Sequence, residues 1–223
     1  MTDDLARRLL AEAIGTALLV AAVVGSGIMA DDLSDDVGLV LLQNAVATFG
    51  ALVALIHAFG PVSGAHFNPV VSLVDHLLGG LDRRSLLAYV PTQIVGAVSG
   101  GILANLMFEL DAVDWSSKTR DGGGIWLGEV VATFGLIVLI FSMVRNAKGD
   151  WIPVAVGSYI MGAYYFTSST SFANPAVTLG RTVSDTFAGI DPADAPAFVA
   201  FQVAGALVAW LVVRTLYPVD RSA

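Results

Sequence analysis

The sequence predicts an all-α integral membrane protein with six transmembrane helices and two re-entrant half-helices, arranged as an inverted repeat. Its 223 residues have a mean hydropathy of +0.75, and 56% of them are hydrophobic while only 13% are charged. That apolar share is well above the share in a soluble domain. Apolar runs long enough to cross a bilayer recur six times, and two shorter apolar runs each follow an Asn-Pro motif.

The six predicted spans have the length of about 20 residues that a hydrocarbon core of about 30 Å requires. They cover residues 8–29, 38–59, 84–108, 125–145, 152–171 and 197–217. The first span is too long for a cleavable signal peptide, contains Glu12 and is followed by acidic residues instead of a small-residue cleavage site. We therefore expect it to be a true span.

The two shorter apolar runs, residues 68–79 and 174–184, cannot cross a membrane, because 8–12 helical residues rise only about 12–18 Å. Each begins with an Asn-Pro motif, Asn68-Pro69-Val70 in the first run and Asn174-Pro175-Ala176 in the second. Asn is a favourable N-cap and Pro suits the first helical position. A helix that begins inside a membrane must line a polar space, so both runs predict re-entrant half-helices.

The basic residues indicate the orientation of the spans. Most of them fall on the termini and on the even-numbered loops: Arg7, Arg8, Arg83, Arg84, Arg145, Lys148, Arg214 and Arg221. Only Lys118, Arg120 and Arg181 fall on the other side, so the positive-inside rule predicts that both termini are cytoplasmic. Acidic loop residues fall mostly outside, either as a solvated surface or as a mouth that disfavours anions.

The two halves of the chain are related, with repeat one at about residues 1–110 and repeat two at about 122–223 of a single domain. Three pairs of polar residues recur in the same order: Glu12 and Glu129, Asn68 and Asn174, Gln93 and Gln202. Each half has an odd number of spans, so the second half enters the membrane from the opposite face. Both half-helices then direct their N-termini, which carry partial positive charge, to the midplane.

The composition gives no indication of enzymatic or metal chemistry. The chain has no cysteine and its three histidines are scattered along the sequence. No nucleophile lies beside a candidate base. We expect no enzyme activity, no cofactor, no bound metal and no nucleic-acid partner.

The segments around the Asn-Pro motifs resemble the aquaporin or major intrinsic protein family. The resemblance rests on Ser63-Gly64-Ala65-His66-Phe67-Asn68-Pro69, on Phe172-Ala173-Asn174-Pro175-Ala176, and on the paired Glu and Gln-x-x-Gly-Ala strings, and it covers nearly the whole chain. It implies an aquaporin-like bundle, a pore in every protomer and a homotetramer among the lipids of a bacterial inner membrane. It also implies passive flow of water or small neutral solutes.

The chain departs from the family pattern directly after the second motif. Most water and glycerol channels of the family carry an arginine there, where this chain has Val177. Spacing from the Asn residues places the rest of the selectivity filter at Thr48, Gly162 and Ser171. Because none of the four is aromatic or charged, we expect a wide filter and a solute larger than water. Tyr164, Tyr165 and Phe172 are expected to be packing aromatics.

The segment Thr167–Val177 resembles a bacterial, aquaglyceroporin-like branch of the family that is associated with arsenic resistance. The resemblance implies trivalent arsenic, as neutral arsenite or its methylated forms, and glycerol, urea or boric acid would fit the same pore. A mainly water-conducting channel and a secondary transporter are the alternatives. A transporter needs a titrating group that faces the substrate, and the chain offers only Glu12 and Glu129 for that role.

The polar residues inside the spans have predicted roles. Asn68 and Asn174 should donate hydrogen bonds to passing hydroxyl groups, while Glu12 and Glu129 should accept them from loop N–H groups.

Gln93 and Gln202 are expected to bond to loop backbone, and His66 to brace its loop. Val70, in place of the usual alanine, either narrows the centre or repacks it. Arg181 either reaches the outer vestibule or extends to the acidic loops.

Overall fold

The structure is a computed structural model that describes residues 2–218. Within that range it contains eight α-helices and no strand. The helices are α1 (Thr2–Leu33), α2 (Val37–Ser63), α3 (Pro69–Leu78), α4 (Arg83–Met107), α5 (Gly123–Arg145), α6 (Ile152–Phe166), α7 (Pro175–Gly180) and α8 (Ala195–Leu216). Short 3₁₀ turns precede α6 at Gly149–Trp151 and follow α7 at Arg181–Val183. Arg221, counted above among the basic residues, lies outside the described residues.

Four helices begin where a side chain accepts hydrogen bonds from the first helical N–H groups. The capping residues are Asp36 for α2, Asn68 for α3, Asp82 for α4 and Asn174 for α7. Pro69 and Pro175 occupy the first helical position after the two Asn residues, where a missing N–H costs nothing. The Asn-Pro motifs are therefore helix starts, as the sequence predicts.

Among the described helices, α1, α2, α4, α5 and α8 are long and apolar enough to cross a membrane. The span predicted at 152–171 is too long, because α6 ends at Phe166. Both the N–H and the hydroxyl group of Thr167 donate to the carbonyl of Ala163, and the Ser/Thr run that follows competes for backbone partners in the same way. The 15 residues of α6 rise about 22 Å, and the preceding 3₁₀ turn adds about 6 Å.

The packing of the helices repeats in the two halves. Helix α1 packs on α4 as α5 packs on α8, while α3 lies against α8 and α7 against α4. Close approach at two of these crossings requires glycine. A Cβ atom on Gly96 would lie 2.6 Å from the carbonyl oxygen of Ala13, and one on Gly205 would lie 2.5 Å from that of Val130. Helices α2 and α6 join the halves, and α3 and α7 meet between them.

The orientation predicted from the basic residues can be tested on the two lysines of the chain. Lys118 lies between α4 and α5, and Lys148 lies between α5 and α6. Burial, and then the charge of Arg120, lowers the pKa of Lys118 to about 8. A membrane-impermeant acylating reagent at pH 8 should therefore label Lys118 in intact cells and reach Lys148 only after permeabilisation. Peptide mass spectrometry reports each site separately, and labelling of Lys148 first would reverse the orientation.

Candidate functional site

The first turns of α3 and α7 are held together by a reciprocal pair of hydrogen bonds. The Asn68 Nδ2 atom donates to the carbonyl oxygen of Ala173 at 2.8 Å, and the Asn174 Nδ2 atom donates to that of Phe67 at 2.8 Å. The Oδ1 atom of each Asn caps its own helix. An amide carries two N–H hydrogens, so each Asn keeps one donor for another partner. Both residues line a cavity, and that donor is available to a molecule inside it.

Two buried carboxylates hold the loops that lead into these half-helices. Glu12 and Glu129 both have 0% relative exposure. Glu12 accepts hydrogen bonds from the N–H groups of His66 and Phe67 at 3.0 and 2.7 Å, and from the hydroxyl group of Ser63 at 2.6 Å. In the second half, Glu129 accepts two backbone hydrogen bonds, each at 2.9 Å, from Phe172 and Ala173. Both carboxylates thus satisfy loop N–H groups that water does not reach.

Gln93 and Gln202 link the carboxylates to the half-helices. The Gln93 Nε2 atom donates to Glu12 at 2.8 Å and to the hydroxyl oxygen of Ser72 at 3.0 Å. The Gln202 Nε2 atom donates to Glu129 at 2.6 Å and to the hydroxyl oxygen of Thr178 at 2.9 Å. The expectation that they bond to loop backbone is therefore wrong. Their partners are side chains, because the carboxylates already occupy the backbone N–H groups.

The loops before the two Asn residues share an unusual backbone. Four non-glycine residues have φ between 48° and 54°, namely Ala65, Phe67, Ser171 and Ala173. Left-handed conformations of this kind cost about 1–3 kcal/mol each and occur mainly at functional sites. The last two N–H groups before each Asn donate to the buried Glu residue, whereas those of Ala65 and Ser171 donate to the hydroxyl groups of Ser63 and Ser169. The described residues offer no donor to four carbonyls of these loops: Ala65, His66, Ser171 and Phe172. These carbonyls are acceptors for a solute.

The loops and half-helices form one wall of a cavity of about 240 Å³. The lining from α1, α2, α5 and α6 is mostly apolar, and we call it the apolar wall; its residues include Leu19, Val23, Leu52, Leu136, Val156 and Ile160. We call the end that contains Thr48, Ser171 and Arg181 the outer end, and the end that contains His66 and Asp75 the inner end. A molecule with both hydroxyl groups and C–H surface matches the two unlike walls.

At the outer end, Tyr164 lies where the spacing predicted Gly162. Ile160 and Tyr164, one turn apart on α6, both line the cavity. Gly162 is exposed and does not line it, because two residues along a helix turn the side chain by about 200°. The placement of Gly162 in the filter is therefore wrong, and so is the expectation that Tyr164 only packs. The spacing failed because it counted through the irregular Thr167–Ala173 segment.

The hydroxyl groups at the outer end form an ordered pair. Thr48 Oγ1 donates to the carbonyl oxygen of Asn44 at 2.8 Å and lies 3.0 Å from Tyr164 Oη. Since the single hydroxyl hydrogen of Thr48 is engaged, Tyr164 donates to Thr48 and keeps its own lone pairs. The hydroxyl oxygen of Ser171 is buried and has no hydrogen-bond partner among the described residues. Val177 completes this end of the cavity with an apolar surface.

Arg181 lines the cavity at its outer end with only 3% of its surface exposed. Its Nε atom donates to the carbonyl oxygen of Ala188, and its guanidinium carbon lies 3.4 Å from the centroid of the Phe172 ring. No carboxylate within the described range lies at salt-bridge distance from it. The side chain therefore lies at the outer end of the cavity, bonded to the backbone of the loop 184–194 and not paired with the carboxylates of that loop.

Val70 does not line the cavity. It is 1% exposed and belongs to an apolar cluster with Ile137, Phe141 and Ala206 of the neighbouring helices. Of the two alternatives for this position, the structure therefore favours repacking over narrowing of the centre. Val71, the next residue along α3, faces the cavity in its place.

The model of the family "Major intrinsic protein" matches residues 1–168. Aquaglyceroporin AqpS of Rhizobium meliloti is 53% identical over 213 residues, covering 96% of this chain and 91% of that protein. Aquaporin NIP1-2 of Arabidopsis thaliana is 28% identical over 187 residues, with 78% of this chain and 63% of that protein covered.

A solved structure shares the fold. The X-ray structure of the aquaglyceroporin from Plasmodium falciparum matches with a TM-score of 0.69 and 20% sequence identity. The match covers 94% of this chain and 95% of that chain. At this identity the match shows that the two chains share a fold.

Removing a loop-bracing carboxylate should destabilise the fold. Glu129→Ala leaves the N–H groups of Phe172 and Ala173 and the amide of Gln202 without their acceptor. Each buried unpaired group costs about 1–3 kcal/mol, so we expect a clear fall in the thermal unfolding midpoint in detergent. Glu109→Ala, at an exposed position, is the matched control. Equal midpoints for the two variants would show that the carboxylate does not hold the loop.

Proposed function

The chain belongs to the major intrinsic protein family, and from that premise we propose that its solutes are small, neutral and larger than water. It is a multi-pass membrane channel of the aquaglyceroporin type. The proposed solutes are glycerol-like polyols and trivalent arsenic, as arsenite or its methylated forms, with water as an additional permeant. The observation that carries this proposal is the outer end of the cavity, where the apolar side chain of Val177 occupies the position directly after the second Asn-Pro-Ala motif.

The two walls of the cavity support a polyhydroxylated solute. Along one wall, the free carbonyls of the Ala65–His66 and Ser171–Phe172 segments accept hydrogen bonds, and the Asn68 and Asn174 amides donate them. Along the other wall, leucine, isoleucine and valine side chains contact C–H surface. Water gains nothing from the apolar wall, whereas a polyol uses both walls at once.

The size of the outer end favours solutes larger than water. Val177 is shorter than an arginine and offers no N–H donor, so it leaves both space and an apolar surface at that position. The cation of the outer end, Arg181, lies four residues, about one helical turn, after Val177. Tyr164, opposite Thr48, restores one bulky and polar side chain, which limits the width of the opening.

The channel is further proposed to be a homotetramer in the inner membrane of a bacterium, with a pore in every protomer and cytoplasmic termini. The bacterial relative at 53% identity supports the assignment to a bacterial membrane. The distribution of basic residues supports the orientation. Apolar residues exposed on α1 and α2, including Leu18, Leu39 and Val46, provide surface for lipid or for neighbouring protomers.

Stopped-flow light scattering on proteoliposomes tests the solute. Under glycerol and arsenite gradients we expect non-saturating uptake that needs no ion gradient. Val177→Arg should lower both solute fluxes by about tenfold while water flow persists, because the long cation fills the outer end. Val37→Arg, at an exposed position near the start of α2, is the control and should leave the fluxes unchanged.

Two results would contradict the proposal. Water flow without solute entry would indicate the mainly water-conducting alternative. Saturable uptake that depends on an ion gradient would indicate a secondary transporter. Expression in cells with and without arsenite then shows whether trivalent arsenic is carried at useful rates.

The corrected filter position makes a separate prediction. Tyr164→Ala removes a ring from the outer end and should raise the flux of a solute larger than glycerol, such as erythritol, relative to that of glycerol. Gly162→Ala changes the exposed face of the same helix, where only the ring of Phe166 lies near an added Cβ, and should leave the ratio unchanged. The opposite ranking of the two variants would restore Gly162 to the filter.

A further inference from the structure

The inverted repeat places charges of opposite sign at matching positions of the two half-helices. Asp75 lies seven residues after Asn68, and Arg181 lies seven residues after Asn174. Both line the cavity, Asp75 at the inner end and Arg181 at the outer end. Among the cavity-lining residues in the described part of the chain, Asp75 is the acidic residue and Arg181 is the basic one.

The residues that each charge contacts also correspond. Asp75 Oδ2 lies 3.6 Å from Nε2 of His66, two residues before Asn68. The guanidinium group of Arg181 lies over the ring of Phe172, two residues before Asn174. His66 is further held by its Nδ1 atom, 3.0 Å from the hydroxyl oxygen of Ser72. The Asp75 carboxylate thus contacts an imidazole ring, and the Arg181 guanidinium contacts the face of an aromatic ring.

Two guanidinium groups, of Arg120 and Arg181, and one buried carboxylate, of Glu129, lie at the outer end, so the net side-chain charge there is positive. Arg120, from the loop between α4 and α5, places its guanidinium carbon 4.9 Å from the centroid of the Phe172 ring and donates from Nε to the carbonyl oxygen of Gly189 at 2.7 Å. Burial lowers the pKa of Arg120 to about 10, so this side chain remains charged at neutral pH. The N-termini of α3 and α7 add partial positive charge at the midplane. These groups repel cations and attract anions.

The inner end has no comparable cation in the cavity wall. Arg8, the nearest guanidinium, is engaged with the hydroxyl group of Tyr89 at 2.8 Å and does not line the cavity. His76 is bound through Nδ1 to the carbonyl oxygen of Leu81 at 2.8 Å. His66, in contact with Asp75, shares the cavity wall with it at that end, and the fully buried carboxylate of Glu12 lies behind the loop, bonded to the His66 N–H group. Asp75 is therefore the acidic side chain that an ion meets in the cavity wall at the inner end, where the charge of Arg8 acts on it from outside the wall.

We propose that Asp75 is a second ion-selectivity residue, which excludes anions at the inner end as Arg181 excludes cations at the outer end. A channel with positive groups only at its outer end and centre would favour anions over cations. A negative charge at the inner end raises the electrostatic barrier that an anion must cross. Neutral solutes meet neither barrier. The inference rests on the proposed function, since it assigns the device that restricts this pore to uncharged solutes.

The test compares ion and solute fluxes in proteoliposomes that contain the full-length channel. Asp75→Asn keeps the size of the side chain and removes its charge. Chloride permeability should rise by about tenfold, as expected for loss of a unit charge a few ångströms from the ion path. Potassium permeability should not rise, and glycerol uptake should stay within about twofold of that of the wild type.

Control variants separate the charge from general damage. Asp111→Asn removes an exposed carboxylate that lines neither this cavity nor the neighbouring one, and it should change no flux. Asp75→Glu keeps the charge and should exclude chloride as the wild type does. Arg181→Gln should raise potassium permeability without raising chloride permeability. If Asp75→Asn is unstable, Asp75→Ser carries the same prediction.

Unchanged chloride permeability in both neutral variants, or an equal rise for potassium, would overturn the inference. The proposed function is tested by a separate measurement on the same vesicles, the uptake of glycerol and arsenite by the wild-type channel. Failure of the wild type to carry glycerol or arsenite would remove the proposed solutes, whereas the chloride result would still report on Asp75.

Discussion

A polypeptide backbone that is broken at the middle of a membrane must satisfy its polar groups without bulk water, and the reciprocal Asn68–Ala173 and Asn174–Phe67 hydrogen bonds meet that constraint. Each amide caps its own half-helix and reaches the carbonyl just before the other one. The bonds therefore fix the distance and the alignment of α3 and α7 together. They also leave one donor on each amide for a solute.

The remaining features of the pore follow from the loops that approach this centre. Alternating left-handed residues turn N–H groups toward Glu12 and Glu129 and leave carbonyls without donors. A buried carboxylate is costly unless several hydrogen bonds compensate its lost hydration, and each Glu has backbone and glutamine donors. The strain, the bonds and the free acceptors are thus parts of one arrangement, repeated in both halves.

Much of this arrangement could be predicted from the sequence. Asn is a favourable N-cap and Pro suits the first helical position, so finding Asn-Pro after a full apolar span and before an apolar run indicated re-entry. The recurrence of Glu, Asn and Gln in one order indicated the inverted repeat. The existence and type of these elements depend on local patterns, which a single sequence contains.

Other features depend on where a helix ends and which of its residues face the cavity, and the sequence analysis did not predict them. The end of α6 at Phe166 is set by competing hydroxyl groups, so a count of residues back from Asn174 placed Gly162 in the filter instead of Tyr164. The apolar series at Ile152, Val156 and Ile160 gives the cavity face of α6 and would have led to Tyr164. Asp75 was detectable as the counterpart of Arg181, once the halves are aligned on their Asn residues.

The central claim is that solutes cross the membrane in the cavity between the two Asn residues. The most direct measurement is an experimental structure of the channel in the presence of glycerol. The account predicts glycerol in the cavity, with hydroxyl oxygens about 2.7–3.2 Å from the Nδ2 atoms of Asn68 and Asn174 and carbon atoms against the apolar wall. A cavity closed at the Asn pair, or glycerol bound only outside it, would contradict the account.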